Sequence, residues 1–99
     1  MTLAELKASL QSPAPPAGLP QTVAALWHDA RGDWDGPHRV AQDVSTPDGA
    51  WVHAYLHRKE GDLSNARYWY ERAGQPEATG SLDAERDDII ERLLNDWER

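Results

Sequence analysis

The strongest constraint on how this 99-residue chain folds is an internal repeat with an offset of 29 residues. Residues 22–47 align on residues 51–76 without a gap, and six of the 26 aligned pairs are identical. The identical pairs are Val23/Val52, Ala25/Ala54, His28/His57, Gly32/Gly61, Asp33/Asp62 and Pro47/Pro76. Repeats of this kind are single supersecondary units that pack against their neighbours. The sequence therefore predicts two tandem helix-turn-helix units, at residues 21–47 and 50–76.

Most of the shared residues have an architectural role. The Gly-Asp pairs at positions 32–33 and 61–62 combine a glycine that ends one helix with an aspartate that caps the next. The shared alanines permit close approach of helices, and the shared prolines are interpreted as closing each unit. Only the pair His28 and His57 is shared without an obvious structural duty.

Hydrophobic spacing and turn residues predict a single all-α domain of about five helices. The two tandem units are flanked by an N-terminal helix over residues 1–10, with a Thr2–Glu5 capping box, and by an acidic C-terminal helix over residues 82–98. Residues 11–20, with four prolines, form a linker, and residues 45–49 have the composition of a turn. Within the units, the predicted helices run from Gln21 to the first Gly-Asp pair, from Trp34 or Gly36 to Val44, and over residues 50–60 and 63–73.

The order of small residues, turn and proline in the second unit is Ala54, Gly61-Asp62-Leu63, Ala66, Tyr70, Ala73 and Pro76. The first unit follows it more loosely, with Ala25, Gly32-Asp33-Trp34, Pro37, Ala41, Val44 and Pro47. This order resembles tetratricopeptide-like helical hairpins, whose usual period is about 34 residues. The resemblance covers residues 21–76 and implies binding of a protein or peptide, without catalysis.

The stretches WHDARGDWDGPHRVAQD and WVHAYLHRKEGDLSNARYWYERAGQP also resemble a family of small uncharacterised bacterial proteins, a resemblance that implies no activity. Two units are fewer than the three or more that such stacks usually contain. We therefore expect either that the flanking helices cap the stack or that the chain forms a homodimer.

The charge balance argues against several classes of partner. The net charge is −7, and the sequence has no basic patch of the kind that nucleic-acid-binding proteins carry. No apolar run approaches the roughly 18 residues of a membrane-spanning helix. Cysteine is absent, which excludes disulfides and thiolate metal sites. We expect a cytoplasmic protein with no cofactor and with neither nucleic acid nor membrane as a partner.

Two surfaces are candidates for binding a protein or peptide. Trp51 and Tyr55 lie four residues apart, so they could line a groove or, alternatively, contact the first or last helix. Arg58 and Tyr68 could extend such a surface. Residues 82–99 hold seven acidic residues and three arginines, which is typical of a solvated helix face or of a docking face for a basic partner.

Three histidines support an alternative function. His53 and His57 are spaced i, i+4, a spacing that can place two imidazoles on one metal ion, and His28 is the repeat equivalent of His57. The alternative is therefore a metal-binding or small enzymatic domain built on these histidines. A histidine at a repeat position more often holds a turn or a neighbouring carbonyl. Because the chain has no nucleophile motif and no phosphate-binding loop, we favour binding over catalysis.

Overall fold

A computed structural model describes residues 1–33, 36, 39 and 45–97 of the chain. Among these residues it contains five α-helices and no strand, which confirms the predicted all-α fold class. The helices are α1 (Leu3–Ala8, extended by a 3-10 turn over Ser9–Gln11), α2 (Gln21–Ala30), α3 (Pro47–Glu60), α4 (Leu63–Ala73) and α5 (Leu82–Trp97). The helix predicted from Trp34 or Gly36 to Val44 lies outside the described residues, except for Gly36 and Arg39.

The Gly-Asp pairs end α2 and α3 in the same way. Gly32 and Gly61 have φ angles of +87° and +83°, in the left-handed region where a Cβ would be strained. Beyond each glycine, the backbone amide of Asp33 donates to the carbonyl of His28, and that of Asp62 to the carbonyl of His57, both at 3.0 Å. This is the bond that closes a Schellman motif. These bonds use the backbone carbonyls of the two positions, so they do not depend on the histidine side chains.

In the second Gly-Asp pair the predicted cap is present, at the start of α4. The side chain of Asp62 accepts from the backbone amide of Asn65 at 3.4 Å and from its side-chain amide at 2.8 Å. These hydrogen bonds, led by the side-chain one, hold the pKa of Asp62 below its usual value. At the N-terminus, the predicted capping box is confirmed, with Thr2 and Glu5 exchanging bonds of 3.0 and 3.1 Å.

The start of α3 corrects the sequence prediction. The turn expected over residues 45–49 is wrong for its last three residues, because α3 begins at Pro47 and not at residue 50. Thr46 is the cap, with its hydroxyl accepting from the amide of Gly49 at 3.2 Å. Proline suits the first helical position since its missing N–H would have no partner there. Pro76 lies instead in a segment without regular structure, so the two repeated prolines do not play the same role.

The core lies between α2, α3 and α5, with α1 covering one end through Leu6. The side chain of Trp27 is fully buried, and its indole N–H donates to the hydroxyl of Ser9 at 3.0 Å. Helix α5 contributes four buried apolar residues, Ile89, Ile90, Leu93 and Leu94. A smaller cluster of Ala54, Ala66 and Tyr70 packs α4 against α3. None of the described helices combines the length and the apolar character required to cross a membrane.

Candidate functional site

A buried carboxylate joins the three core helices. The side chain of Asp29, at the end of α2, is 0% exposed. It accepts hydrogen bonds from the hydroxyl of Tyr55 at 2.6 Å and from the ammonium of Lys59 at 2.7 Å, both on α3. The guanidinium of Arg86 on α5 approaches it at 3.4 Å. A buried charge requires such pairing, because its desolvation would otherwise cost several kcal/mol.

A second carboxylate, that of Glu85, joins α5 to the α3–α4 hairpin. The guanidinium of Arg58 donates to it at 2.9 Å, and the hydroxyl of Tyr70 donates to its other oxygen. Arg58 also donates to the carbonyl of Gly80. Gly80 belongs to the segment that connects α4 to α5, residues 75–81, which we call the strap. Arg58 therefore fixes both α5 and the strap to α3.

The two tyrosines serve as hydrogen-bond donors in these clusters. Burial, followed by the hydrogen bond to Asp29, raises the pKa of Tyr55 well above its ordinary value. Burial and the hydrogen bond to Glu85 act in the same way on the pKa of Tyr70. Both hydroxyls consequently stay protonated at neutral pH. Asp29 is thus bonded by a phenol and two cations, and Glu85 by a phenol and one cation, an arrangement suited to holding helices together.

The four residues predicted to bind a partner do not form one surface. Tyr55 is 0% exposed, so the expectation that it lines an open groove is wrong; its ring fills the core and its hydroxyl serves Asp29. The side chain of Arg58 is occupied by Glu85 and the strap. Tyr68 is exposed on the outer side of α4, where its hydroxyl accepts from Arg72. Trp51 lines a groove between the strap and α5.

The three histidines do not surround a common point. The rings of His53 and His57 are stacked with their centroids 4.7 Å apart, and the ring of Trp69 also stacks on that of His53, at 4.1 Å. His28 instead lies beside Asp33, with 3.8 Å between Nδ1 and the carboxylate. No group of three or more histidine, aspartate or glutamate residues in the described part of the chain could hold a metal ion. The geometry thus gives the metal alternative no support.

A groove with a volume of about 540 Å³ lies between the strap and α5. The partly buried ring of Trp51, from α3, contributes to its wall. Helix α5 contributes Asp88 and Glu91, whose carboxylates are exposed. Within the described residues neither of these two carboxylates forms an ion pair, whereas Glu77 on the strap pairs with Arg67 at 2.7 Å. The groove therefore offers carboxylates beside an aromatic wall.

Apart from Trp51, the sequence analysis did not single out the residues of this groove, although the sequence contains a signal for those on α5. Ala84, Asp88, Glu91 and Asn95 follow the spacing i, i+4, i+7, i+11, which places them on one stripe of α5. That stripe matches the acidic docking face considered as an alternative for this helix. The position of the strap opposite the stripe had no such signal, because it depends on the bond between Arg58 and Gly80.

The chain matches no family model, no curated protein and no solved structure. The resemblance to tetratricopeptide-like hairpins therefore stays a prediction. The groove itself holds carboxylates, an indole face and the guanidinium of Arg92.

Proposed function

We propose that the protein is a binding module that takes up a basic segment of a partner protein in the groove between the strap and α5. One observation carries the proposal. The ring of Trp51 is held in the wall of the groove beside the exposed carboxylates of Asp88 and Glu91. An apolar aromatic wall next to negative charge suits the side chains of arginine and lysine, which have an apolar stem and a cationic end.

The electrostatics of the whole chain support the same partner class. The net charge of −7 produces a field that attracts cationic segments and raises their rate of association. At the groove, the carboxylates of Asp88 and Glu91 can receive the charge once the segment has arrived. The groove volume of about 540 Å³ lies within the range of about 300–1,000 Å³ typical of sites for small ligands. It is therefore large enough for a few side chains of an extended peptide.

The distribution of polar groups favours binding over catalysis. Of the groove residues, Glu85 is engaged by Arg58 and Tyr70. The hydroxyl of Ser81 accepts from the amide of Ala84 as a cap of α5. Neither group is paired in the way that activates a nucleophile or a general base, which requires an adjacent base within hydrogen-bond reach. Binding is also what the hairpin resemblance implies, although through a different surface from the one expected.

The experiment uses a fluorescein-labelled nonapeptide of alternating glycine and arginine and a matched peptide with glutamate in place of arginine. Fluorescence anisotropy of the full chain should show binding of the basic peptide only, and the affinity should fall as salt is raised. The double variant Asp88→Asn/Glu91→Gln should bind about fivefold more weakly or worse, as the loss of two exposed charge contacts predicts. Trp51→Leu should weaken binding as well.

Tyr68→Ala is the matched control, because Tyr68 is an exposed aromatic residue on the outer side of α4. It should bind the basic peptide as the unmodified protein does. Circular dichroism of every variant checks that the fold is kept. Equal binding of the acidic peptide, or full affinity in the Asp88/Glu91 double variant, would overturn the proposal.

A further inference from the structure

We infer that Arg92 occupies, in the free protein, the place that an arginine of the ligand takes on binding, so that Arg92 acts as a competitor built into the groove. This inference rests on the proposed function. It is motivated by the position of the Arg92 guanidinium, whose central carbon lies 5.9 Å from the centroid of the Trp51 ring. That distance is within the reach of a cation–π contact, about 6 Å.

Arg92 lies near the Trp51 ring although two carboxylates are within reach along α5. Asp88 and Asp96 lie four residues before and after it on α5, at the spacing that allows ion pairs on a helix. Over the described residues Arg92 forms an ion pair with neither, and its guanidinium lies toward the indole instead. The Trp51 ring is therefore the feature of the groove that attracts a guanidinium, even where carboxylates are within reach.

In the described part of the chain, two other tryptophans have an arginine nearby, and both of those arginines are tethered. Arg31, 4.9 Å from the Trp27 ring, also donates to the carbonyl of Ser12 at 2.7 Å. Arg72, 5.4 Å from the Trp69 ring, also donates to the hydroxyl of Tyr68 at 3.0 Å. Arg92 makes no hydrogen bond to any described residue, and its side chain is exposed. It can consequently leave the indole at little cost.

Departure of Arg92 has a second consequence. Once displaced, the guanidinium can turn along α5 toward Asp96, which lies outside the groove lining. The ligand's guanidinium can then stack on the Trp51 ring, close to Asp88 and Glu91. A planar guanidinium stacks on an aromatic ring better than a compact ammonium does. The groove should therefore prefer arginine to lysine in its ligand.

The test is a double-mutant cycle between Arg92→Gln and Trp51→Leu, measured with the labelled Arg-Gly peptide. If Arg92 competes for the indole, Arg92→Gln should raise the affinity about two- to fivefold more in the presence of Trp51 than in the Trp51→Leu background. The Trp51→Leu background measures the effect of removing a positive charge alone. A Lys-Gly peptide of equal charge should bind more weakly than the Arg-Gly peptide to the unmodified protein.

A direct readout comes from the indole N–H resonance of Trp51, assigned by its loss in the Trp51→Leu variant. It should shift on Arg92→Gln and shift again on addition of the Arg-Gly peptide. Equal gains in the two backgrounds, or an unshifted indole resonance, would remove the inference and leave the proposed function standing. Absence of binding in both the unmodified protein and Arg92→Gln would remove the proposed function, and the inference with it.

Discussion

Replacing Asp29 with asparagine tests the buried carboxylate that joins α2, α3 and α5. Asparagine keeps the shape and one acceptor oxygen, but it removes the charge that Lys59 and Arg86 compensate. Removing one partner of a buried ion pair costs about 3–5 kcal/mol. The side chains of Lys59 and Arg86 retain 32% and 17% exposure, so their charges can reach water. We therefore expect a somewhat smaller cost, about 2–3 kcal/mol.

The free energy of unfolding is measured by urea denaturation followed by far-ultraviolet circular dichroism. With a slope of about 1–3 kcal/mol per molar urea, the midpoint should fall by on the order of 1–2 M without a change of slope. Asp83→Asn is the matched control, because it makes the same chemical change in another carboxylate that contacts Arg86. The side chain of Asp83 is 84% exposed, and its loss should cost less than about 0.5 kcal/mol.

The order of the costs is as informative as their size. Tyr55→Phe removes one donor and leaves Asp29 with both cations, so it should cost about 1 kcal/mol, between the control and Asp29→Asn. If Asp29→Asn were no more costly than Asp83→Asn, or if Tyr55→Phe cost more than Asp29→Asn, the carboxylate would not be the centre of the cluster and the reasoning would be refuted.

Three further outcomes follow from the same contacts. The pKa values of Tyr55 and Tyr70 are raised above the ordinary phenol value of about 10, so as the pH rises these phenols ionise first in the unfolded chain. The urea midpoint should therefore stay constant below about pH 10 and fall above it, and the fall should be less steep in Tyr70→Phe. Gly61→Ala should lower the free energy of unfolding by about 1–2 kcal/mol because of the φ of +83°, although no atom lies within 4 Å of the added Cβ. The control Gly80→Ala, at a position with an ordinary φ, should not lower the free energy of unfolding. Arg58→Met should speed amide hydrogen exchange in the strap, measured by mass spectrometry, while exchange in α2 stays unchanged.

Local signals in the sequence were sufficient for the ends of several helices. Gly61 and Asp62 stop α3 and cap α4 at the predicted residues, since a left-handed glycine and a short acceptor side chain act within one turn of the backbone. The start of α3 was missed because proline and aspartate are found both in turns and in the first turn of a helix. The deciding contact is the hydroxyl of Thr46 on the amide of Gly49.

The candidate site was less accessible to sequence reasoning because it depends on contacts distant in the chain. Trp51 and Tyr55 share the i, i+4 spacing that suggested a common groove, yet one lines a groove and the other is buried. The difference is Asp29, 26 residues from Tyr55, whose carboxylate gives the phenol a partner inside the core. Burial of a tyrosine is favourable when its hydroxyl has a hydrogen-bond partner. No local sequence pattern around Tyr55 predicts that this partner is Asp29.

The position of the groove follows from a difference between the two copies of the repeat. Asp29 and Arg58 occupy equivalent positions, 29 residues apart, but carry opposite charges. Their partners on α5 are adjacent residues of opposite charge, Arg86 and Glu85. A shift of α5 by one residue in either direction would move a buried charge away from its partner, and exchanging the two sites would bring like charges together, which costs several kcal/mol. The charge inversion thus determines the register of α5 on the hairpins. Because Asp88 follows Glu85 by three residues, that same register sets Asp88 and the rest of its stripe facing the strap, where the groove forms.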